Sequence, residues 1–199
     1  MPIAAVVLAA GSSKRLGRPK QLEPWGDSNL LGHIVDKTRQ FPVDEIWVVL
    51  GHQTEEVLAR TPALDGVNVV DNLEWEEGIA SSIRVALDAL TRLSRSDCAL
   101  IVIGDQPEVS VELVEELVRS HAATDKPVTV PKYRYSWGNP VLVDRSLWPR
   151  LMSLEGDEGA QRLWHAHPEW LNEVWFSEAP PRDVDTETDV TDLRPRHPA

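Results

Sequence analysis

At 199 residues the chain is long enough for one domain with a full core and too short for two comfortable ones. A formal charge of −12 argues against extended binding to nucleic acid or to an anionic membrane, which needs basic surface, but not against capture of a small anion by a local cationic loop. Apolar residues make up 42%, no run nears the ~18 apolar residues of a membrane span, and the single Cys98 rules out an internal disulfide and suits a reducing cytoplasm.

The first element is a buried strand, IAAVVLAA (3–10). No basic residue precedes it and a glycine loop follows directly, so no secretory signal is expected and a cytoplasmic location is. Apolar, β-branched runs recur at EIWVVLG (45–51), VNVVDN (67–72), CALIVIGD (98–105) and PVTVPKY (127–133). Most are continuous rather than alternating, as strands buried on both faces are. Helical patterns separate most of them. SNLLGHIVDKTRQ sets Leu30, Leu31, Ile34, Val35 and Thr38 at helical spacing. Thr54 is placed to cap EEVLAR, Ser81 or Ser82 to cap IRVALDALTRL, and Ser110 to cap VELVEELVRSHAA. The alternation predicts an α/β fold with a mostly parallel sheet and helices on both faces. Cys98, inside a strand, reads as a buried structural thiol. Beyond Lys132 the pattern changes to a loop running into a strand (YRYSWGNPVLVD), short helices over SLWPRLM and GAQRLWHAHP, a late strand NEVWF, the acidic SEAPPRDVDTETD and a frayed tail RPRHPA. We read one domain over residues 1–199, with a substrate-binding lid or β-insertion around 132–178.

Ligands of open α/β sheets bind outside the carboxyl ends of the strands. The first such end carries GSSKRLGRPK, with glycine for close backbone approach and the cations Lys14, Arg15, Arg18 and Lys20. It fits neither common phosphate fingerprint: five residues separate Gly11 from Gly17, and Ser13 stands where a dinucleotide loop needs its second glycine. Arg15 and Lys20 suit a triphosphate, the one gripping oxygens bidentately and the other adding a point charge. A solvated basic turn is the plain alternative. GDQP puts Asp105 at the end of a buried strand, where a carboxylate binds a metal, caps a helix or pairs with a cation; Mg²⁺ prefers such oxygen ligands. Asp183 and Asp185 of DVDT lie two apart on one side of an extended segment. Gly78, Ser81 and Ser82 open a helix, which suits an anion or a flat base as well as a plain cap. Trp25, Trp75 and Trp137 fall in loops, with core packing the simpler reading for each. The histidines show no metal-ligand spacing and no H-E-x-x-H, so no zinc site is expected. G-x-S-x-G is missing too, which argues against a serine hydrolase.

These motifs together resemble the MobA-like NTP transferases, most closely their MocA-like branch of molybdenum-cofactor cytidylyltransferases. The resemblance rests on LAAGSSKRLGRPK (Leu8–Lys20), Asn72-x-x-Trp75-x-x-Gly78-x-x-x-Ser82, GDQP (Gly104–Pro107), Gly138-x-Pro140-Val141, GDxGA (Gly156–Ala160) and Asp183-x-Asp185-Thr186, in that order along nearly the whole chain. It departs at Asn139, where the branch commonly has histidine, and at Glu187 and Thr188, where the branch commonly has the proline and glutamate of D-T-P-E-D over positions 185–189. What the resemblance implies is a Rossmann-like domain of the nucleotide-diphospho-sugar transferase kind. Such a domain moves a nucleoside monophosphate from an NTP to a phosphorylated acceptor with Mg²⁺ and releases pyrophosphate. By that likeness Gly11, Ser12, Ser13 and Arg15 cradle phosphates, and Arg15 and Lys20 neutralise charge. Asp105 and Asp185 hold Mg²⁺. Leu8, Ala9, Ala10 and Gly78, Ser81 and Ser82 take the nucleoside, and Gly138, Asn139 and Pro140 face the acceptor. L-A-A-G rather than L-A-G-G favours CTP or UTP over GTP. Molybdopterin is the implied acceptor; a sugar phosphate, another cofactor precursor, or a non-catalytic role in delivery to a molybdoenzyme remain open alternatives.

Overall fold

Every residue of β1 (Ile3–Leu8) is buried, and the sheet grows outward from this strand. The computed structural model describes residues 1–157 and 159–195, so the predicted tail lies outside the described residues from position 196. After β1 come a short hairpin of β2 (Pro24–Trp25) and β3 (Ser28–Asn29), then α1 (Leu30–Thr38), β4 (Glu45–Leu50), α2 (Thr54–Arg60) and β5 (Asn68–Asp71). The chain continues through α3 (Ile79–Leu93), β6 (Cys98–Ile103), α4 (Val111–Ala122), β7 (Val128–Tyr133), β8 (Ser136–Trp137) and β9 (Val141–Asp144). It closes with α5 (Trp148–Leu151), α6 (Gln161–Ala166), β10 (Leu171–Phe176) and α7 (Glu187–Leu193). The main sheet runs β10-β7-β9-β6-β1-β4-β5, with β8 paired to β7. The β6-β1-β4-β5 block is parallel throughout, β10 is parallel to β7, and β9 alone of the long path runs against both its neighbours. The expected mostly parallel α/β fold is thus borne out. Among the described residues no helix is long and apolar enough to cross a membrane.

Alternation along β1 divides the core. Ile3 and Val7 face a layer built with Leu30, Leu31, Ile34 and Val35 of α1 and with Leu113, Val114 and Leu117 of α4. Ala4, Val6 and Leu8 face the other layer, with Ile83, Ala86, Leu87 and Leu90 of α3 and Trp148 and Leu151 of α5. Successive strand side chains point to opposite faces, so a strand with helices on both sides must be apolar at every position. Cys98 is fully buried in the first layer, as its setting predicts.

Of the three predicted helix caps, Ser110 holds its place: its side chain accepts from the Leu113 amide at 3.1 Å. Two others are corrected. Gly78, with φ of +100°, precedes α3, and Ser81 and Ser82 lie inside its first turn. Their hydroxyls instead take hydrogen bonds from the Asn72 amide, at 2.8 and 3.0 Å. Thr54 is the first helical residue of α2, behind Gln53 in a left-handed conformation, and its hydroxyl sits near the Gly51 carbonyl and the Asp71 carboxylate. One unforeseen cap is Asn29. Its Oδ1 accepts from the Gly32 amide at 2.8 Å, while its Nδ2 donates to the Arg60 carbonyl and to Thr61 Oγ1 at 2.8 and 2.9 Å.

Because Asn29 is buried and uses both ends of its amide, Asn29→Ala removes a cap and orphans two acceptors. We predict a loss of about 2 kcal/mol in urea unfolding. Asn29→Ser, which can keep a cap oxygen without a buried charge, should lose less. A change within about 0.5 kcal/mol for the alanine variant, the scale of an unremarkable surface substitution, would contradict this account.

Candidate active site

The carboxyl ends of β1 and β6 meet where Gly104 donates its amide to the Leu8 carbonyl at 2.9 Å. A Cβ on Gly104 would lie 2.7 Å from that oxygen, so glycine is required for the two strands to converge. Above this point the chain opens into the loop from Ala9 to Pro19. Gln21, buried beneath it, donates from Nε2 to the Ala9 and Gly11 carbonyls at 2.7 and 2.9 Å. Ser13 takes a positive φ of 55°, its carbonyl accepts from Leu16 and Gly17, and its hydroxyl accepts from the Lys20 amide. Among the described residues, no backbone N–H from Gly11 to Arg15 donates to a protein acceptor. A Cβ on Gly11 would meet nothing within 4 Å, so packing within the fold does not require glycine there.

This loop borders a cavity of about 300 Å³, the lower end of the range for small-molecule sites. Of the residues singled out in the sequence, Leu8, Ala9, Ala10, Gly11, Ser12, Lys20, Gly78, Ser82 and Asp105 line it. Ser13 and Ser81 are turned into the bracing contacts described above, outside this lining. Arg15 is exposed and donates to Asp185 Oδ2 at 2.6 Å. Asp185 reaches the cavity rim through Lys20, whose ammonium donates to Asp105 Oδ2 and, at 3.0 Å, to Asp185 Oδ1. The 183–185 segment is pinned there by the Val184 amide, which donates to the Asp105 carbonyl at 2.9 Å, and by Gln106 Nε2, which donates to Asp183 at 2.7 Å. Gly138 and Asn139 line an adjoining cavity of about 270 Å³ that shares Leu8, Ile79, Ile103 and Asp157 with the first; Pro140 is buried behind it.

Charge in the loop is divided by its partners. Arg18 is drawn away to Glu23 and Glu187 and ties the loop to α7. Lys14 lines the cavity and has no carboxylate partner among the described residues. Burial pushes the Lys20 ammonium down, but the charges and hydrogen bonds of Asp105 and then Asp185 outweigh it and hold its pKa above the ordinary value. For Asp105 burial is again the leading effect and raises the carboxyl; Lys20 opposes this, Asp183 and Asp185 add to it, and the net direction is up. Asp105 Oδ1 is buried and accepts no hydrogen bond among the described residues.

Sequence reasoning left out Gln21, and carried Lys14 only as a loop cation and Asp157 only within the GDxGA motif. Gln21 has no signal beyond following the loop. Asp157 lies between the cavities, and a Cβ on Gly78 would sit 2.1 Å from its carboxylate, so Gly78 answers to this contact as well as to its φ. Likewise a Cβ on Gly138 would strike the Tyr133 ring at 2.6 Å. Trp75 lines the first cavity edge-on to His52 and Trp137 lines the second, whereas Trp25 is core.

An open, mostly parallel sheet with a glycine loop and two cavities at its strand ends has the Rossmann-like architecture of nucleotide-sugar transferases. The chain belongs to the MobA-like NTP transferase family, whose profile matches residues 5–170. The family resemblance read from the motifs is therefore borne out. Nicotine blue oxidoreductase of Paenarthrobacter nicotinovorans is 32% identical over 197 residues, covering 92% of each protein. A crystal structure from Mycobacterium tuberculosis H37Rv is 35% identical over 97% of both chains with a TM-score of 0.84, and a manganese complex from that organism superposes with a TM-score of 0.82 at 33% identity over 98% of both. A nucleotidyl transferase of Methanothermobacter thermautotroptrophicus is 25% identical, with a TM-score of 0.78 over 97% of this chain and 96% of that one.

The raised pKa of Asp105 has a signed consequence. Its folded pKa lies above the unfolded one, so its ionisation costs stability progressively as pH rises from the unfolded value through the folded one. Relative to the wild type, Asp105→Asn should therefore gain stability as pH rises from about 4, where the unfolded carboxyl ionises, towards 7. Thermal scans of both proteins across pH check this; a Tm difference that moves the other way over that range would contradict it.

Proposed function

We propose that this chain transfers a nucleoside monophosphate, CMP from CTP in the first instance, to a phosphorylated acceptor and releases pyrophosphate. The observation that carries the reading is the Lys20 ammonium held between Asp105 and Asp185 at the rim of a glycine-loop cavity whose N–H groups have no protein partner. An acceptor phosphate is already anionic at neutral pH, with a second pKa of about 6, so no strong general base is needed. Its oxygen forms a bond to the α-phosphorus while the bond from that phosphorus to the bridging β-oxygen breaks. The electron pair leaves with pyrophosphate, and no proton has to move. What the protein must supply is approach of two anions in line. The free amides of residues 11–15, Lys14 and Lys20 are disposed to grip the triphosphate, and Arg15 braces Asp185. Ala9, Ala10, Gly78 and Ser82 border the space left for the nucleoside, and Gly138 and Asn139 border that for the acceptor. Molybdopterin is the acceptor we propose, on the motifs shared with the MocA-like branch.

The residues present fit a divalent cation. Asp105 keeps a buried carboxylate oxygen without a protein partner, and Asp185 stands across Lys20 from it. When bound, Mg²⁺ or Mn²⁺ would neutralise charge developing on the phosphates. Asp105 and Asp185 would hold it.

A redox reading is favoured by one observation, the 32% identity to nicotine blue oxidoreductase. It requires no pyrophosphate, so one assay separates the two. Mixing the protein with each NTP, Mg²⁺ and molybdopterin should release pyrophosphate. CTP should exceed GTP by about 10- to 100-fold in kcat/KM, because the Ala10 methyl takes space a purine would need. Preference for GTP would refute the base assignment. No pyrophosphate with molybdopterin alone would refute that acceptor, and none from any NTP with a sugar phosphate or other phosphorylated acceptor either would overturn the transferase reading in favour of a redox or delivery role.

A further inference from the structure

At the opposite end of the sheet from the cavities, Cys98, His121 and Asp144 converge, their ligand atoms within 4.8 Å of one another. Cys98 opens β6 and Asp144 closes β9, and the two are directly paired across this antiparallel step. His121, in the last turn of α4, reaches over them. Its Nε2 lies 3.5 Å from Cys98 Sγ and 3.1 Å from Asp144 Oδ1. Its Nδ1 lies 2.8 Å from Thr129 Oγ1, which also takes a hydrogen bond from Asn172. None of these residues takes part in the reaction proposed above, and β6 separates them from Asp105 by roughly 20 Å of strand.

We propose that this cluster is a second, independent metal site, selective for a borderline divalent ion such as Zn²⁺ or Co²⁺. The donor set is a thiol, an imidazole and a carboxylate, which such ions accept and hard ions such as Mg²⁺ do not. A tetrahedral ion with bonds of about 2.3 Å to sulfur and about 2.0 Å to nitrogen and oxygen keeps S and N roughly 3.5 Å apart and N and O roughly 3.3 Å apart. The distances found are 3.5 and 3.1 Å, so the donors need little rearrangement. In the tautomer that ligates through Nε2, Thr129 Oγ1 accepts from Nδ1–H, the partner a ligating histidine requires on its far side. On binding, the Cys98 S–H bond breaks, its proton goes to solvent and the thiolate bonds to the ion. Burial foremost, then the Asp144 charge, pushes the free thiol far up its range, so the metal itself must drive that ionisation. Asp144, partly exposed, gives the ion its route in and a solvent-facing fourth position. The ion would staple β6, β9 and α4 at the base of the sheet. Sequence spacing could not reveal this, because His121 is 23 residues from each of the other two.

Cobalt titration of the full chain tests it. Cys98 is the sole cysteine, so a near-ultraviolet thiolate-to-cobalt charge-transfer band can arise nowhere else. We expect that band to saturate with one equivalent of Co²⁺, with release of a proton, and to be displaced by Zn²⁺ but not by Mg²⁺. Cys98→Ser should abolish it. Asp144→Asn, at a partly exposed position, should weaken it at least 10-fold, and Thr129→Val by 10- to 100-fold, the scale of losing an outer partner. Cobalt bound only at Asp105 and Asp185 would give no such band. Absence of the band in the wild-type protein, or full-affinity binding in Asp144→Asn, would overturn the proposal, whether or not Cys98→Ser folds.

Discussion

The rest of the structure is arranged around one ammonium group. Lys20 lies between two carboxylates that come from positions 105 and 185, at the ends of different elements. Burying three charges together is expensive unless each is paired, and here the lysine satisfies both acids while leaving Asp105 one free oxygen. The fold spends much of its local structure on this arrangement. β1 and β6 converge through Gly104, Gln21 fixes the start of the loop, Ser13 fixes the approach of Lys20, and Val184 ties the acidic segment to Asp105. Such a cluster of charges is suited to a charged ligand, which is how polar sites trade stability for function.

The loop shows the same logic at the level of backbone. Three of its features point outward rather than inward: unpartnered amides, a glycine with open space where its side chain would be, and Lys14 facing the cavity without a carboxylate. Packing explains none of them. They become intelligible together if a multiply charged anion lies over the loop, since amides, a close approach and a cation are what such an anion needs. Arg18, by contrast, is engaged with Glu23 and Glu187, which anchors the loop to α7.

Much of this was legible in the chain. β1, the loop after it and Asp105 at the end of β6 are local patterns, and a strand buried on both faces announces itself as a continuous apolar run. Asp183 and Asp185 could be set on one side because Val184 between them is the kind of residue that turns inward. What could not be read depends on distant pairing. Nothing in VLVD says that β9 inserts antiparallel between β6 and β7. The start of α3 was misjudged because serine is the usual cap, whereas here Gly78 must bend at positive φ beside Asp157, and Asn72 claims both serines. Of the four cations, the sequence could not say that Arg18 would be held by Glu23 and by Glu187 of α7.

The central claim is that the loop and Lys20 grip a triphosphate, and equilibrium binding measures this most directly. Calorimetric titration with CTP, CDP, CMP and cytidine, each with and without Mg²⁺, isolates the phosphates from the base. The account predicts that affinity falls at each phosphate removed, that CTP binds at least 10-fold more tightly than CMP, and that Mg²⁺ widens the gap. Equal affinity for CTP and CMP would contradict it, because the cations and free amides would then have no phosphate to hold.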